Sequence, residues 1–167
     1  MNPHRFNDAE RAGVYKAIAQ RRDMRHFLSY PIEAEILARL LQAAHQAGSV
    51  GLMQPWRFIR ITDLAIRKAI HQIDEQERIE TAKDMSERED EFMRLKVEGI
   101  LDCADLLVVA LPDKREKYIF GRRTLPEMDI ASTACASQNL WLAARAEGLG
   151  RGWVSLFDPS AVAKLLN

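Results

Sequence analysis

Hydrophobic residues recur at helical spacing in the first third of the chain. Asn7 and Glu10 form a capping-box pattern ahead of the first such stretch, which predicts a helix over 8–20 that places Arg21 at its end. A second amphipathic stretch follows, and its helix is predicted to end near Gly48. The apolar face of this second helix consists of Ile36, Leu37, Leu40, Leu41 and Ala44.

Two further helices are predicted near the end of the chain. Residues 128–147 are apolar nearly all round and stop at Gly148, which predicts a buried helix that could also form a subunit interface. Asp158 and Pro159 are typical of an N-cap followed by the first helical position, so a final helix should begin there.

Three shorter stretches have the composition of strands. Residues 56–62 nearly alternate between apolar and polar. Residues 104–111 form a short apolar run that a proline ends, as expected for a strand buried on both faces, and residues 152–157 form the third stretch. A third helix should begin at about Asp63, directly after the first strand. Strands interleaved with helices predict an α+β fold of three layers (α/β/α), with a mixed central sheet flanked by helices.

The chain shows no repeat, low-complexity tract or linker, so we expect a single domain over 1–167. It stops at Asn167, directly after a helix that would normally lead into another strand. We therefore expect a carboxyl-terminal arm to be missing.

The segment 74–94 holds nine carboxylates and four basic residues, a local net charge of −5. This composition predicts a solvated helical excursion anchored by Phe92, Leu95 and Ile79. The alternative is a mobile cover over a functional site.

Composition excludes several classes of function. Lys and Arg total 24, as do Asp and Glu, so no net charge draws the chain to nucleic acid or to an anionic membrane. The amino terminus is polar and no apolar stretch is long enough to span a membrane, which indicates a cytoplasmic protein. Cys103 and Cys135 lie outside any CxxC spacing and are expected to be buried, and the four histidines have no metal-ligand spacing, so no metal is predicted.

Residues 21–25 read Arg21-Arg22-Asp23-Met24-Arg25 and concentrate three guanidinium groups. Such groups can hold a phosphate bidentately, so a phosphate-bearing ligand fits the cluster. Asp23, flanked by cations, could accept a proton or orient a ligand hydroxyl. The alternative is a surface salt-bridge cluster of little energetic weight.

Two small-residue loops could approach a ligand closely. Residues 48–56 contain Ser49, a short donor and acceptor suited to a flat polar ring or a polyol; the alternative is an ordinary turn with Trp56 in the core. Residues 148–157 carry three glycines and Ser155, and the alternative there is a helix stop followed by a turn.

Taken in order, RRDMRxF, SVGLMQPWRF and EGLGxGWVSLF resemble the nitroreductase superfamily of flavin-binding proteins over essentially the whole chain. Ordinary members commonly have Ser where this chain has Asp23. That aspartate and the SVGLMQPW segment are similar to a branch of the superfamily that fragments flavin, whereas Gly48 departs from the usual proline.

The resemblance implies that reduced FMN and O2 are consumed to give a benzimidazole, the lower ligand of vitamin B12, and erythrose 4-phosphate. Asp23 would then be an acid/base or orienting group beside the ribityl chain, and Ser155 a proton relay near the flavin ring. The implied flavin-binding residues are Arg21, Arg22, Asp23, Met24, Arg25, Ser49, Gly152 and Ser155, with Val50 and Met53 contacting the substrate.

The same resemblance implies a homodimer with flavin at its interface and a flavin reductase that supplies reduced FMN. Three alternatives stay open. The chain could be an NAD(P)H-dependent nitroreductase that retains its flavin, a corrinoid reductase, or a flavin-binding protein without catalytic activity.

Overall fold

The computed structural model describes residues 3–85, 88–94, 98–112, 120 and 122–167. Its contacts divide the chain into two compact units. The first unit comprises Met1–Arg22, Glu33–Phe58 and Val109–Arg151, and the second comprises Asp23–Ile32, Ile59–Val108 and Gly152–Asn167.

Among the described residues, two strands are interspersed with helices, in agreement with the predicted mixed class. The helices are α1 (Asp8–Gln20), α2 (Ala34–His45), α3 (Leu64–Asp84), α4 (Glu89–Met93), α5 (Gly99–Asp102), α6 (Met128–Ala146) and α7 (Pro159–Leu166). The strands β1 (Arg57–Ile61) and β2 (Leu106–Ala110) pair with each other, and a 3₁₀ turn spans Val50–Leu52. No helix within the described ranges is both long enough and apolar enough to cross a membrane.

Local capping signals place the helix starts where the sequence predicts them. The Asn7 side chain accepts from the Glu10 N–H at 2.9 Å and the Glu10 carboxylate accepts from the Asn7 N–H at 2.9 Å, which confirms the capping box of α1. Asp63 caps α3 by accepting from the Ala65 N–H, and Asp158 caps α7 by accepting from the Ser160 N–H.

The core of the first unit lies where α2 and α1 pack on α6. Its buried residues in α2 and α6 include Leu37, Leu40 and Ala44 against Ala136, Leu140, Trp141 and Ala144. The helix predicted over 128–147 forms as α6, but within this chain it buries one face only, so the prediction of a buried helix holds for that face and the suggestion of a subunit interface is not tested. Ile130 is 60% exposed and Cys135 is exposed as well, which also corrects the expectation that both cysteines are buried.

The second unit is built on α3, which packs against α4, α5 and α7. Ile61, Ile70 and Ile100 form its buried hydrophobic cluster. The buried Arg67 donates to the carbonyl oxygens of Ile61 at 3.1 Å, Cys103 at 2.6 Å and Ala104 at 3.0 Å. One guanidinium therefore joins the end of β1 to the segment that leads into β2.

Two predictions in this unit are wrong. The segment 74–94 is not solvated throughout, because α3 continues to Asp84 and packs Asp74 completely out of solvent. Ile79 is exposed and anchors nothing, Phe92 is half-buried, and Leu95 lies outside the described residues.

The second wrong prediction is the strand over 152–157, which is irregular backbone. The Trp153 N–H donates to a side chain, that of Asp23, and is not used in a ladder of backbone hydrogen bonds. A strand-like composition does not by itself supply the neighbouring strand that a ladder of backbone hydrogen bonds needs.

Candidate functional site

The arginine-rich segment 21–25 is divided between the two units after Arg22. Each part has neighbours within its own unit. In the first unit Arg21 joins Trp141 and Arg151, here named the arginine–tryptophan cluster. In the second unit Asp23 joins Arg25, Gly152 and Trp153, here named the aspartate cluster.

Arg21 is held at the end of α1 by main chain and by an aromatic ring. Its N–H donates to the Ala17 carbonyl at 3.0 Å, and its guanidinium carbon lies 4.5 Å from the centroid of the Trp141 ring. Within the part of the chain that the structure describes, no carboxylate forms an ion pair with Arg21. Its positive charge is thus available to an anionic ligand.

Arg22, which the sequence groups with Arg21 as a phosphate ligand, has a different set of partners. Its Nη1 donates to the carbonyl oxygens of Ala19 at 3.0 Å and Arg21 at 2.9 Å. These are carbonyl groups in and just beyond the last turn of α1, where a cation is favourable because of the helix dipole. Arg22 therefore stabilises the helix end that carries Arg21.

The loop that contains Ser49 and Val50 is closed by hydroxyl groups. The Gln54 N–H donates to Ser49 Oγ at 3.2 Å, and the Val50 N–H donates to Ser132 Oγ at 3.2 Å. Left-handed backbone at Leu52 (φ 51°) and Gln54 (φ 41°) is unusual for residues with side chains, and such strain concentrates at ligand-binding loops.

The side chains of this loop differ in how far they are buried. Met53 is 6% exposed and Trp56 is also buried, so both belong to the core of the first unit. Val50 is half-buried and Leu52 projects outward. Of the two residues predicted to contact substrate, Val50 therefore offers side-chain surface, and Met53 offers main chain more readily than side chain.

The aspartate cluster fixes one carboxylate without burying it. Asp23 Oδ1 accepts from the Trp153 N–H at 2.9 Å, and Asp23 Oδ2 pairs with Arg25 Nη2 at 2.7 Å. The Asp23 side chain is 33% exposed, so a ligand can reach it. Each carboxylate oxygen has a partner and still has lone-pair capacity for a second one.

Gly152 allows the two segments of this cluster to approach each other. A Cβ atom on Gly152 would lie 2.6 Å from the Met24 carbonyl oxygen and 3.3 Å from Phe27 Cζ. On Gly99 a Cβ would lie 2.9 Å from Phe27 Cε2. Glycine at both positions lets the Phe27 ring lie against the backbone, which fixes the segment that begins with Asp23.

Ser155, the predicted proton relay, is exposed in the second unit. Its hydroxyl forms no hydrogen bond to any of the residues described here. A hydroxyl in this state can both donate to a ligand and accept from it.

Sequence reasoning missed a group of residues in the first unit. Arg151 donates to the Ser137 carbonyl and, at 2.7 Å, to Ser137 Oγ, and its guanidinium carbon lies 5.3 Å from the Trp141 centroid. Ser137 and Trp141 are four residues apart on α6, so they share a face. That spacing was visible in the sequence, although nothing in it indicated which arginines lie on the ring.

Sequence reasoning also missed the environment of Asp74. This carboxylate is 0% exposed and neither of its oxygens has a hydrogen-bond partner among the described residues; the same is true of His71 Nε2, one turn earlier. Burial raises the pKa of Asp74 from 3.8 to about 6, and the nearby His71 and Arg78 oppose that rise in part.

The residues of each unit, taken separately, fit part of a phosphate-bearing polar ligand such as FMN. In the first unit Arg21 offers a cation that no described carboxylate neutralises, which can bind an anion. In the second unit Asp23 offers an accessible carboxylate of fixed orientation, and Ser155 offers a hydroxyl without a partner in the described ranges. These two groups can hold a ligand hydroxyl and move a proton.

Comparisons with known proteins establish the family of this chain. A sequence model of the Nitroreductase family matches residues 18–167. The chain is 42% identical to a 5,6-dimethylbenzimidazole synthase from Rhodospirillum rubrum, over 97% of this chain and 78% of that protein.

Among solved structures, iodotyrosine deiodinase bound to FMN and 3-iodo-L-tyrosine aligns with a TM-score of 0.72 at 24% identity, over 92% of this chain and 80% of that one. Nitroreductase A from Vibrio parahaemolyticus aligns with a TM-score of 0.71 at 22% identity, over 93% of this chain. This chain spans only 60% of that nitroreductase. These structural likenesses establish the fold.

Proposed function

The chain belongs to the nitroreductase family, and on that premise we propose that it is a 5,6-dimethylbenzimidazole synthase, which consumes reduced FMN and O2. The observation that carries the proposal is the similarity to the Rhodospirillum rubrum synthase along nearly the whole chain. The products would include 5,6-dimethylbenzimidazole, the lower ligand of vitamin B12, and erythrose 4-phosphate, and the pyrimidine ring of the flavin would leave as a separate oxidised fragment. Reduced FMN, when bound, supplies both the electrons for O2 and the carbon atoms of the benzimidazole.

Phosphate binding is the role we propose for Arg21 and Arg25. Arg21 brings a charge that no described carboxylate neutralises, while Arg25 is shared with Asp23. Both would also favour the anionic reduced ring over its neutral form, because a preorganised cation stabilises negative charge. Arg22 acts from the same segment by stabilising the end of α1.

Asp23 is the proposed acid/base group. The Trp153 N–H and the Arg25 guanidinium hold its two oxygens, so the carboxylate is oriented before any ligand arrives. A carboxylate in this setting can orient a hydroxyl of the ribityl chain and take up its proton. Met24 and Gly152 support that orientation through their close backbone approach.

Ser155 and Ser49 are the proposed hydroxyl groups of the site. The Ser155 O–H would pass a proton to or from the flavin ring. Ser49 Oγ already accepts from the Gln54 N–H, so its remaining O–H can donate to a ligand while the loop stays closed. Val50 would then supply apolar surface beside the ring, and its side chain would help to exclude water.

A homodimer is the proposed assembly. Large apolar side chains are exposed on several parts of the first unit, and contiguous exposed apolar surface is typical of an interface. They are Phe6, Tyr15, Ile18, Phe120, Leu125 and Ile130. Sedimentation of the purified protein tests this, and a monomer that binds FMN tightly would contradict it. A separate flavin reductase is the proposed source of reduced FMN.

A second candidate function is favoured by the family match itself. An FMN-dependent reductase that takes electrons from NAD(P)H and passes them to a nitro compound, a quinone or the cobalt of a corrinoid would use the same phosphate site. A flavin-binding protein without catalysis is the third candidate, since the Arg21 guanidinium of the arginine–tryptophan cluster could hold the phosphate of FMN without any reaction following.

Product analysis separates these three functions. The protein is mixed with chemically reduced FMN, exposed to air and examined by chromatography beside a sample without protein. Loss of flavin together with formation of the benzimidazole is the expected result. Reoxidation with full recovery of flavin, followed by NAD(P)H-driven turnover of a nitro compound or a corrinoid, would identify a reductase. Flavin that stays bound without turnover would identify a binding protein.

A further inference from the structure

We infer that Trp141 is a positioning residue for flavin phosphate recognition: its ring holds the Arg21 guanidinium in place without neutralising it. The inference rests on the proposed function to the extent that Arg21 binds the phosphate of FMN. It assigns a role to a buried side chain that does not itself contact the ligand. All of the residues involved belong to the first unit.

Three residues of α6, spaced four apart, contact either the end of α1 or the Arg151 guanidinium that lies on the same ring. Ser137 binds the guanidinium of Arg151, Trp141 lies against Arg21 and Arg151, and Arg145 Nη2 donates to Gln20 Oε1 at 2.9 Å. Residues four apart lie on one face of a helix, so these contacts form a continuous row. The row fixes both the last residue of α1 and the arginine that follows it.

An aromatic ring suits this task better than a carboxylate would. The face of the indole attracts a guanidinium through its quadrupole, yet the ring carries no charge. Arg21 is therefore oriented while keeping its full positive charge for an anion. A carboxylate at the same place would orient Arg21 and cancel that charge.

Arg151 strengthens the effect because it places a second cation on the same ring. Its guanidinium carbon is 5.3 Å from the centroid, against 4.5 Å for Arg21, and Ser137 holds it from the other side. The two guanidinium groups near one ring repel each other and raise the local positive potential. A phosphate dianion that binds there relieves this repulsion. A phosphate-bearing flavin should gain from this arrangement, and a flavin without phosphate should not.

Comparison of FMN with riboflavin tests the inference, because the two differ in the phosphate. Dissociation constants are measured by flavin fluorescence for the wild type, Trp141→Leu, Arg21→Ala and the double variant. Trp141→Leu should lower the preference for FMN over riboflavin by about five- to tenfold, the scale of a desolvated cation–π contact. In the Arg21→Ala background, Trp141→Leu should not change the preference for FMN over riboflavin any further.

Two additional variants separate positioning from simple packing. Trp56→Leu replaces another buried tryptophan of the first unit, one that lies edge-on to His45, and it should leave the FMN preference unchanged. Trp141→Phe retains a ring and should keep the preference within about threefold of the wild type. Circular dichroism checks the fold of each variant, and Trp141→Phe serves as the decisive comparison if Trp141→Leu does not fold.

The possible failures are distinguishable. If Trp141→Leu weakens both flavins equally, or if its effect adds to that of Arg21→Ala, Trp141 is only a core residue and the inference is wrong. A Trp141→Phe variant that loses the preference as completely as Arg21→Ala would also overturn it. If the wild type binds FMN and riboflavin equally, the proposed phosphate role of Arg21 fails together with the inference. Lack of benzimidazole formation, by contrast, affects the proposed function alone.

Discussion

Two aspartates of the second unit lie in opposite environments. Asp23 is one-third exposed and each of its oxygens has a partner, the Trp153 N–H and the Arg25 guanidinium. Asp74 is fully buried, and neither of its oxygens is hydrogen-bonded to a described residue. The first is oriented and accessible, whereas the second is enclosed.

The difference shows that a raised pKa does not by itself mark a carboxylate that a ligand can reach. Burial without hydrogen bonds disfavours the charged form, which is why the pKa of Asp74 rises to about 6. Hydrogen bonds and a nearby cation instead hold Asp23 in one orientation. Asp74, despite its raised pKa, is enclosed, whereas the carboxylate of Asp23 is accessible to a ligand.

The largest expected effect comes from removing the charge of Asp23. Asp23→Asn should reduce benzimidazole formation by about 10²–10⁴-fold, because a positioned acid/base speeds proton transfer by that factor. Binding of reduced FMN should stay within about tenfold, equivalent to roughly 1.4 kcal/mol. Product formation and flavin fluorescence are measured on the same preparation. Ser155→Ala should likewise reduce benzimidazole formation while leaving the binding of reduced FMN within about tenfold.

The matched control is the same substitution at the other aspartate. Asp74→Asn should form product within about threefold of the wild-type rate, as expected for a change away from the reacting groups. If Asp74→Asn abolishes product formation and Asp23→Asn does not, the assignment of roles to the two aspartates is reversed.

The next largest effect concerns stability as a function of pH. The folded-state pKa of Asp74 lies above its unfolded value, so its contribution to stability is complete below about pH 4 and is lost as the pH rises through about 6. The loss amounts to about 3 kcal/mol by pH 8. The wild type minus Asp74→Asn difference in urea-derived unfolding free energy should change by that amount between pH 4 and pH 8. A difference that is constant with pH would show that Asp74 is not the titrating group.

Removing the partner of Asp23 gives a smaller effect. Arg25→Ala should weaken FMN binding by about 1.5–3 kcal/mol, the value of a hydrogen bond to a charged group, and should weaken riboflavin binding much less. Isothermal titration with each flavin measures both. Equal losses of affinity for FMN and riboflavin would mean that Arg25 pairs with Asp23 and does not contact the phosphate.

The smallest effect tests the close backbone approach beside Asp23. Gly152→Ala should lower the unfolding free energy by about 1–2 kcal/mol, because the added methyl group meets the Met24 carbonyl and the exposed segment 23–32 can shift only in part. Gly13→Ala, in α1 and with no atom within 4 Å of the added methyl, should raise it by about 0.5–1 kcal/mol. Thermal melts compare the two. Changes of the same sign would contradict the packing described at Gly152.

The sequence predicts those parts of the fold that depend on local signals. Asn7, Asp63 and Asp158 each accept a backbone N–H of the helix that follows, and such capping is readable from a few neighbouring residues. The candidate site residues stay predictions; they were selected because the arginines, Asp23 and the small-residue loops follow one another in an order that resembles the family.

The wrong predictions depend on contacts between distant parts of the chain. Residues 152–157 have irregular backbone, and the N–H of Trp153 within them donates to a residue 130 positions away, a contact that no local pattern indicates. The burial of Asp74 was masked by the acidic composition around it, although its spacing from Arg67 and Ile70 is that of one helix face. Periodicity placed Trp141 in the core but could not reveal the two arginines on its ring.

The most direct test of the account follows the carbon atoms of the flavin. FMN labelled uniformly with ¹³C is reduced, mixed with the wild type or with Asp23→Asn, and exposed to O2, and the products are examined by mass spectrometry. The wild type should give labelled 5,6-dimethylbenzimidazole and labelled erythrose 4-phosphate as the flavin disappears, and Asp23→Asn should return labelled FMN in its oxidised form. Full recovery of labelled FMN from the wild type would contradict the claim that this protein consumes its flavin.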